Sequence, residues 1–255
     1  MRWPSEAVWE QVVAQLPGFT VEVLPEIDSS NSELMRRARA GQLDPVLLVA
    51  ERQSAGRGRL GRAWQARPGD SLTFSFGRLL APQDWSGLSL AVGVALAGAL
   101  HPDLRLKWPN DLWLGERKLA GILVETAAAP APTPAPAQGR YAVVGVGINL
   151  AVPAADGLST APAGLRELLP GIEAGDALLR VAGALASALA AFEAGGFAPF
   201  QARFQALDLL AGRPLQLSDG TSGSGAGVRG DGALLVQTAG GTVAVTSAEV
   251  SVRPA

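Results

Sequence analysis

Apolar and polar positions along this chain follow two different periods. Ser5–Leu16 carries apolar residues at helical spacing, with Ser5 in the N-cap position and Pro17-Gly18 as the stop. Thr20–Leu24 alternates with period two, as a half-buried strand does. Ser30-Asn31-Ser32-Glu33 fits a capping box with Ser30 as the cap, opening a helix that ends near Gly41. Val46–Ala50 is a continuous apolar run, the pattern of a strand covered on both faces. Ser71–Phe76 alternates again, and Asp84 is positioned to cap a long helix reaching Leu100. Arg105–Trp108, Asp111–Leu114 and Lys118–Glu125 read as strands around a Gly115-Glu116-Arg117 turn.

Residues 127–139 are almost pure Ala, Pro and Thr, which predicts an extended excursion with no core of its own. Tyr141–Leu150 then resumes a strand pattern, so the excursion is expected to join two neighbouring strands. Two or three helices follow between Gly164 and Leu210. From Leu215 the character changes to short alternating runs separated by glycine turns: Leu215–Leu217, Gly225–Val228, Leu234–Gln237, Thr242–Thr246 and Val250–Arg253. Such short strands in quick succession suggest a small β-barrel. The expected organisation is an α/β domain over residues 1–210 and an all-β unit over residues 211–255.

Composition narrows the chemistry. The chain has 255 residues, 48% of them apolar, and a formal net charge of −2. A near-neutral balance argues against binding nucleic acid with the whole surface. There is no cysteine, which removes disulfides, thiolate metal sites and cysteine nucleophiles. The single histidine, His101, sits before a proline at the end of an apolar run and reads as a helix-end residue. The N-terminus shows no continuous apolar signal segment, and the runs Leu88–Leu100 and Val181–Phe192 are short for a membrane span, so a cytoplasmic protein without membrane contact is expected.

Against that neutral background, five arginines (Arg52, Arg57, Arg59, Arg62, Arg67) crowd one segment. The run from Gln53 through Gly56-Arg57-Gly58-Arg59-Leu60-Gly61-Arg62 to Trp64 alternates glycine with arginine. Glycine lets backbone approach a ligand closely, and arginine grips phosphate or carboxylate at two points. Gly56-x-Gly58-x-x-Gly61 imitates a dinucleotide fingerprint, and Asp84 lies at a suggestive distance beyond it. That motif requires a helix starting at the glycines, whereas Pro68-Gly69 and a strand come next. A Walker A site also fails, since no Gly-Lys-Ser/Thr follows, and the run is too brief for a disordered RGG segment.

Two further clusters carry cations. In Lys107-Trp108-Pro109-Asn110-Asp111, proline holds the preceding residue extended and Lys107 leaves a rigid strand end. In Lys118-Leu119-Ala120-Gly121, a glycine inside a buried strand makes room over which Lys118 can reach. Gly145-Val146-Gly147-Ile148-Asn149 is a second glycine-relieved strand, ending in an amide. Arg57, Arg59, Lys107 and Lys118 over glycine floors, without a triad or an evident base, point to catalysis by positioning and charge stabilisation, as in phosphoryl or nucleotidyl transfer. Asp111 is the carboxylate best placed to hold Mg²⁺ through water.

Together these motifs resemble the biotin protein ligases, also called biotin–[acetyl-CoA-carboxylase] ligases. The likeness rests on Gly56–Arg62 with Trp64, on Lys107–Asp111, on Lys118–Leu123, on Asp28-Ser29-Ser30-Asn31 and on Gly147-Ile148-Asn149. The resemblance implies an α+β fold: a mixed, mostly antiparallel sheet with flanking helices, like the class II synthetase catalytic domain. It implies that the C-terminal strands, around Arg229–Leu235, form a small SH3-like barrel. It implies ATP, biotin and Mg²⁺ as reactants, biotinyl-5′-AMP as intermediate, and a lysine of a biotin carboxyl carrier protein domain as acceptor.

By the same resemblance Ser29, Ser30, Asn31 and Gln53 would hydrogen-bond the biotin head group, Ser30 also serving as the helix cap. Gly58 would let the backbone approach and Gly121 would leave room for biotin, whose site also includes Lys118, and Arg57 and Arg59 would bind its carboxylate and the phosphates. Arg57, Arg59, Lys107 and Asn110 would bind the nucleotide phosphates, with Trp64 and Asn149 against the adenine. Arg57, Lys107 and Lys118 would stabilise the charge that develops at the carboxylate–phosphate junction. Some family members carry an N-terminal DNA-binding domain; with only a short segment before the first strand, no DNA binding is expected. Strand edges leave room for pairing in a homodimer. A lipoate–protein ligase of related fold is the nearest rival reading, and a non-catalytic nucleic-acid module using the arginine loop is another.

Overall fold

The computed structural model describes residues 2–128, 139–154, 160–246 and 252–254. Its elements begin with α1 (Ser5–Val13), β1 (Thr20–Leu24), α2 (Ser30–Arg39), β2 (Val46–Ala50), β3 (Ser71–Leu80) and α3 (Leu88–Leu100). They continue with β4 (Arg105–Lys107), β5 (Asp111–Leu114), β6 (Arg117–Ala128), β7 (Arg140–Asn149), α4 (Ala174–Gly195) and α5 (Gln201–Leu207). The C-terminal strands are β8 (Pro214–Leu217), β9 (Ser222–Val228), β10 (Leu234–Thr238), β11 (Gly241–Val245) and β12 (Val252–Pro254).

Seven strands form one sheet in the order β1-β2-β3-β7-β6-β5-β4. The β1–β2 pair, bridged by α2, is parallel, and the others are antiparallel. Strand alternation divides the sheet into two faces. Leu47 and Val49, Phe74 and Phe76, Val144 and Val146, and Ile122 enter the main core, which α1, α3 and α4 cover. The opposite face carries Leu48, Tyr141 and Val143 under Leu34, Met35 and Ala38 of α2. Farther along that second face the alternation brings up small or polar residues, Thr73, Ser75, Gly121, Gly145 and Gly147. A floor without bulk is therefore left beside the N-terminus of α2.

Several local readings change. Helix α1 is capped by Pro4 with no side-chain hydrogen bond, so Ser5 is its first residue and not its cap. In α2 the cap is Ser29, whose side chain accepts from the Ser32 amide, so Ser30 is released from that duty. Asp84 accepts from the Ser86 amide in the preceding turn, while Gly87 at φ 80° is the N-cap of α3. Strand β3 runs on to Leu80, because it pairs with β7 along its whole length. The Ala/Pro excursion is shorter than its composition suggests: Ala127 and Ala128 stay in β6, paired with Tyr141 and Arg140, and residues 129–138 lie outside the described ones. The two strands it joins are neighbours, as expected.

By length and composition α4, with 22 residues, could cross a membrane, which the run Val181–Phe192 alone does not suggest. In the fold it is a core helix, burying Leu178, Val181, Leu185, Leu189 and Phe192. The C-terminal strands form one antiparallel sheet in the order β11-β10-β9-β8-β12, open among the described residues and consistent with an SH3-like unit. That sheet is fastened to the larger one. The indole Nε1 of Trp108, itself 1% exposed, donates to the Gly232 carbonyl at 3.0 Å, and the Leu209 amide donates to the Leu106 carbonyl at 2.9 Å.

Candidate active site

A cleft of about 560 Å³ opens on the small-residue face of the sheet. Three structures bound it: the N-terminus of α2, the loop between β2 and β3, and the β4–β5–β6 strands. Every residue singled out above as a binding or catalytic candidate lines it.

The α2 end is polar and dry. Ser29, Ser30 and Asn31 are 3%, 4% and 3% exposed. Gln53 Oε1 accepts from the Ser30 amide at 2.8 Å and lies 3.1 Å from the Ser30 hydroxyl oxygen. Asn31 Nδ2 donates to the Leu123 carbonyl at 3.2 Å and to Glu125 Oε2 at 2.9 Å. Ser75, fully buried on β3, lies with its hydroxyl 2.6 Å from Asn31 Oδ1 and 2.7 Å from Ser30 Oγ. Asn31 fits because Gly145 faces it: a β-carbon there would overlap its side-chain amide. This end therefore offers both donors and acceptors. The partial positive charge of the α2 N-terminus is directed at it.

The Gly/Arg loop is folded back on itself. The Gly58 amide donates to the Arg62 carbonyl at 2.7 Å, and the Trp64 amide donates to the Gly56 carbonyl at 2.9 Å. A β-carbon at Gly56 would lie 2.6 Å from the Trp64 carbonyl oxygen, which explains the glycine. At the tip Leu60 is 68% exposed and adopts φ 56°, a conformation that branched and bulky side chains rarely take. Arg57 reaches inward, donating to Ser32 Oγ at 3.0 Å and lying 3.4 Å from Glu125. Arg59 donates to Asn110 Oδ1 at 3.3 Å. Its burial pulls the guanidinium pKa down, while the nearby Asp111 opposes that shift. Trp64 lies over Gly121 and Gly147, in the middle of the cleft; a β-carbon at Gly147 would overlap the indole.

The opposite wall holds the lysines. Lys118 Nζ sits 2.8 Å from Asp111 Oδ1 and 6.0 Å from the Trp64 ring centroid. Lys107 Nζ lies 5.1 Å from the ring centroid of Trp113, which is 5% exposed. A bulge explains the first geometry. Leu112 pairs with Ala120 but Trp113 pairs with Lys118, so Leu119 is an extra residue in β6. The extra residue turns Lys118 onto the same face as Gly121. Asn110 Nδ2 donates to the Ile122 carbonyl at 2.8 Å, anchoring the turn after the cis Trp108–Pro109 bond.

Two candidates are engaged otherwise than their expected roles suggest. Asn149 donates to the Ala163 carbonyl at 3.2 Å and holds residues 161–163 against β6. Asp111 is ion-paired to Lys118, and among the described residues no group of three or more His, Cys, Asp or Glu side chains gathers to hold a metal. Sequence reasoning did not single out Ser75, Glu125 or Trp113. The only sequence signals for the first two were the polar alternation of β3 and the lone carboxylate of β6, neither distinctive before the fold brings their partners across.

Comparison with known proteins agrees with this geometry. Residues 25–149 match the profile of the biotin/lipoate A/B protein ligase family. The chain is 37% identical over 259 residues to the bifunctional ligase/repressor BirA of Escherichia coli K12, an alignment spanning 96% of this chain and 78% of that protein. It is 32% identical over 243 residues to the biotin–[acetyl-CoA-carboxylase] ligase of Paracoccus denitrificans, across 89% of this chain and 98% of that one. The solved biotin protein ligase from Aquifex aeolicus in complex with biotin and ATP superposes with a TM-score of 0.77 at 28% identity, covering 92% of this chain and 99% of that chain.

Proposed function

Because the chain belongs to the biotin/lipoate A/B protein ligase family, we propose that its cleft joins biotin to AMP and then passes the acyl group to a carrier lysine. The activity is that of a biotin–[biotin carboxyl carrier protein] ligase, with ATP and biotin as substrates. One observation carries the residue-level reading. A buried donor–acceptor end and a four-cation end share one cleft whose floor between them is glycine.

The polar end around Ser29, Ser30, Asn31 and Gln53 suits a ureido ring, which needs acceptors for two N–H groups and donors for its carbonyl. The acid's chain then runs over Gly121 toward Lys118, with Gly58 admitting the backbone of the loop. There a carboxylate oxygen attacks the α-phosphorus of ATP, and the bond to the bridging oxygen breaks as pyrophosphate leaves. Negative charge grows on the non-bridging oxygens, where Arg57, Arg59, Lys107 and Lys118 stabilise it without reorganising. Magnesium would come with ATP and neutralise phosphate charge, and Asp111, the carboxylate beside Lys118 at this end of the cleft, is the residue that would hold it through water. Asn110 and Asn149 act as positioning residues at the phosphate and nucleoside ends, and Trp64 covers the intermediate.

In the second step a neutral carrier lysine amine attacks the acyl carbon and AMP departs with the mixed-anhydride oxygen. Until then the anhydride must be kept from water, which the folded-back loop favours. Pairing of two chains along a strand edge of the larger sheet, action in the cytoplasm and independence from DNA and membranes complete this proposal. The deciding measurement is pyrophosphate release. It should require biotin, ATP and Mg²⁺ together, and release with lipoate but not with biotin would overturn the assignment of the acid.

A further inference from the structure

Glu125 stands in none of the motifs, yet it touches both halves of the site. It lies on β6 two strand positions beyond Leu123, on the same face as Gly121. Its Oε2 accepts from Asn31 Nδ2 at 2.9 Å, and its carboxylate lies 3.4 Å from Arg57 Nη2. Asn31 and Ser75 are almost or wholly without solvent contact, so the protein alone decides which way their hydrogen bonds run.

The directions follow from donor counting. A carboxylate and a peptide carbonyl only accept. With Glu125 Oε2 and the Leu123 carbonyl both beside it, the Asn31 nitrogen must be the donor and its Oδ1 must face Ser75. Ser75 has one proton, and Asn31 Oδ1 at 2.6 Å takes it. The Ser75 oxygen is then left as an acceptor toward Ser30 at 2.7 Å, while Gln53 Oε1 is held by the Ser30 amide. The Glu125 carboxylate and the Leu123 carbonyl together thus set the polarity of a buried relay running Asn31–Ser75–Ser30. The second contact of Glu125, Arg57, belongs to the Gly/Arg loop.

We propose that Glu125 is a positioning residue that, with the Leu123 carbonyl, orients the hydrogen bonds of the head-group end and couples that end to closure of the Gly/Arg loop. The proposal rests on the reading that biotin's ring occupies that end. Glu125→Gln keeps the shape but removes the charged one of the two acceptors that orient the Asn31 amide, leaving the Leu123 carbonyl alone to hold it, and Arg57 loses its countercharge.

In a pyrophosphate-release assay the KM for biotin should rise roughly tenfold or more in Glu125→Gln, a loss typical of a hydrogen bond to a charged group. The KM for ATP should move less than threefold, and Glu125→Asp should recover part of the loss. A ligand-free readout runs alongside. Amide protons of Asn31 Nδ2 and of the loop from Gly56 to Trp64 should exchange slowly in the wild type and clearly faster in Glu125→Gln, at equal melting temperature. Unchanged biotin KM and unchanged exchange overturn the proposal, as does a loss of both affinities together with a lowered melting temperature. If the wild type itself releases no pyrophosphate with biotin, the assignment of the acid fails, and the exchange comparison still decides the role of Glu125.

Discussion

The ammonium of Lys118 lies 3.4 Å from the point where Gly121 would carry a β-carbon, on the same strand three residues on. A regular strand would turn those two residues to opposite faces. The extra residue Leu119 cancels the alternation, and Asp111 at 2.8 Å holds the lysine down. The cation is thereby fixed over the glycine floor before any substrate arrives.

A charge so preorganised should act mainly on the transition state of adenylation. Lys118→Ala is expected to lower the single-turnover rate of pyrophosphate release by roughly 10²–10³, the usual loss for one preorganised stabiliser. Biotin affinity measured by calorimetry should change much less. A near-normal single-turnover rate would remove Lys118 from the chemistry.

Gly147 makes a separate prediction about the loop. A methyl group there would overlap the Trp64 indole. Trp64 sits on a loop and can move away, so Gly147→Ala should leave the melting temperature nearly unchanged. The displaced indole no longer covers the cleft, and the KM values for biotin and ATP should both rise, by about tenfold for each ~1.4 kcal/mol of lost contact. Amide exchange from Gly56 to Trp64 should quicken in parallel. Unaltered KM values would show that the indole's present place is irrelevant to binding.

These sites differ in how legible they were. The arginine–glycine run, the two lysine motifs and the glycines of β7 stood out because residues of unusual chemistry interrupt apolar strands. Their convergence on one cleft follows from simple alternation, which puts Gly121, Gly145 and Gly147 on one face and Ile122, Val144 and Val146 on the other. Ser75 and Glu125 were harder to see, since a serine or a glutamate in a half-buried strand is ordinary until its partner across the sheet is known. The cap of α2 was misplaced by one residue because Ser29 and Ser30 both suit the position, and only the backbone decides between them: Ser29 is extended at φ −159°. The bulge at Leu119 leaves no mark in composition at all. It is set by the register of β5 against β6.

Asp28, just before that cap, carries the pH prediction. The Arg36 side chain hydrogen-bonds its carboxylate at 2.7 and 2.9 Å, and the Ser29 amide adds another bond at 2.7 Å. Chiefly through Arg36, its pKa falls from the ordinary 3.8 to about 2. A folded pKa below the unfolded one means that the stabilisation is complete above about 4 and is lost as pH falls toward 2. The pair is largely solvent-exposed, so its worth at neutral pH is below about 1 kcal/mol. Asp28→Asn should therefore cost little stability at pH 7. Between pH 4 and 2 it should make the fall in unfolding free energy shallower than in the wild type. An identical slope for both proteins would show that the contact contributes nothing.

The joint between the two sheets yields to the same kind of test. Trp108 is buried against the C-terminal sheet and gives its indole proton to the Gly232 carbonyl. Trp108→Phe removes the donor and strands that carbonyl, at about 1–3 kcal/mol, with a further cost for the lost ring volume. Gly232 itself sits at φ +80°, and a β-carbon there would come within 2.7 Å of the Gly87 backbone. Gly232→Ala should therefore be destabilising through strain and by pushing the turn between β9 and β10 away from the start of α3. Both changes act on the same residue, Gly232, so the double variant should lose clearly less than the sum of the single losses in denaturant unfolding. Strict additivity would mean that the indole–carbonyl bond and the close approach of Gly232 to Gly87 hold the joint independently.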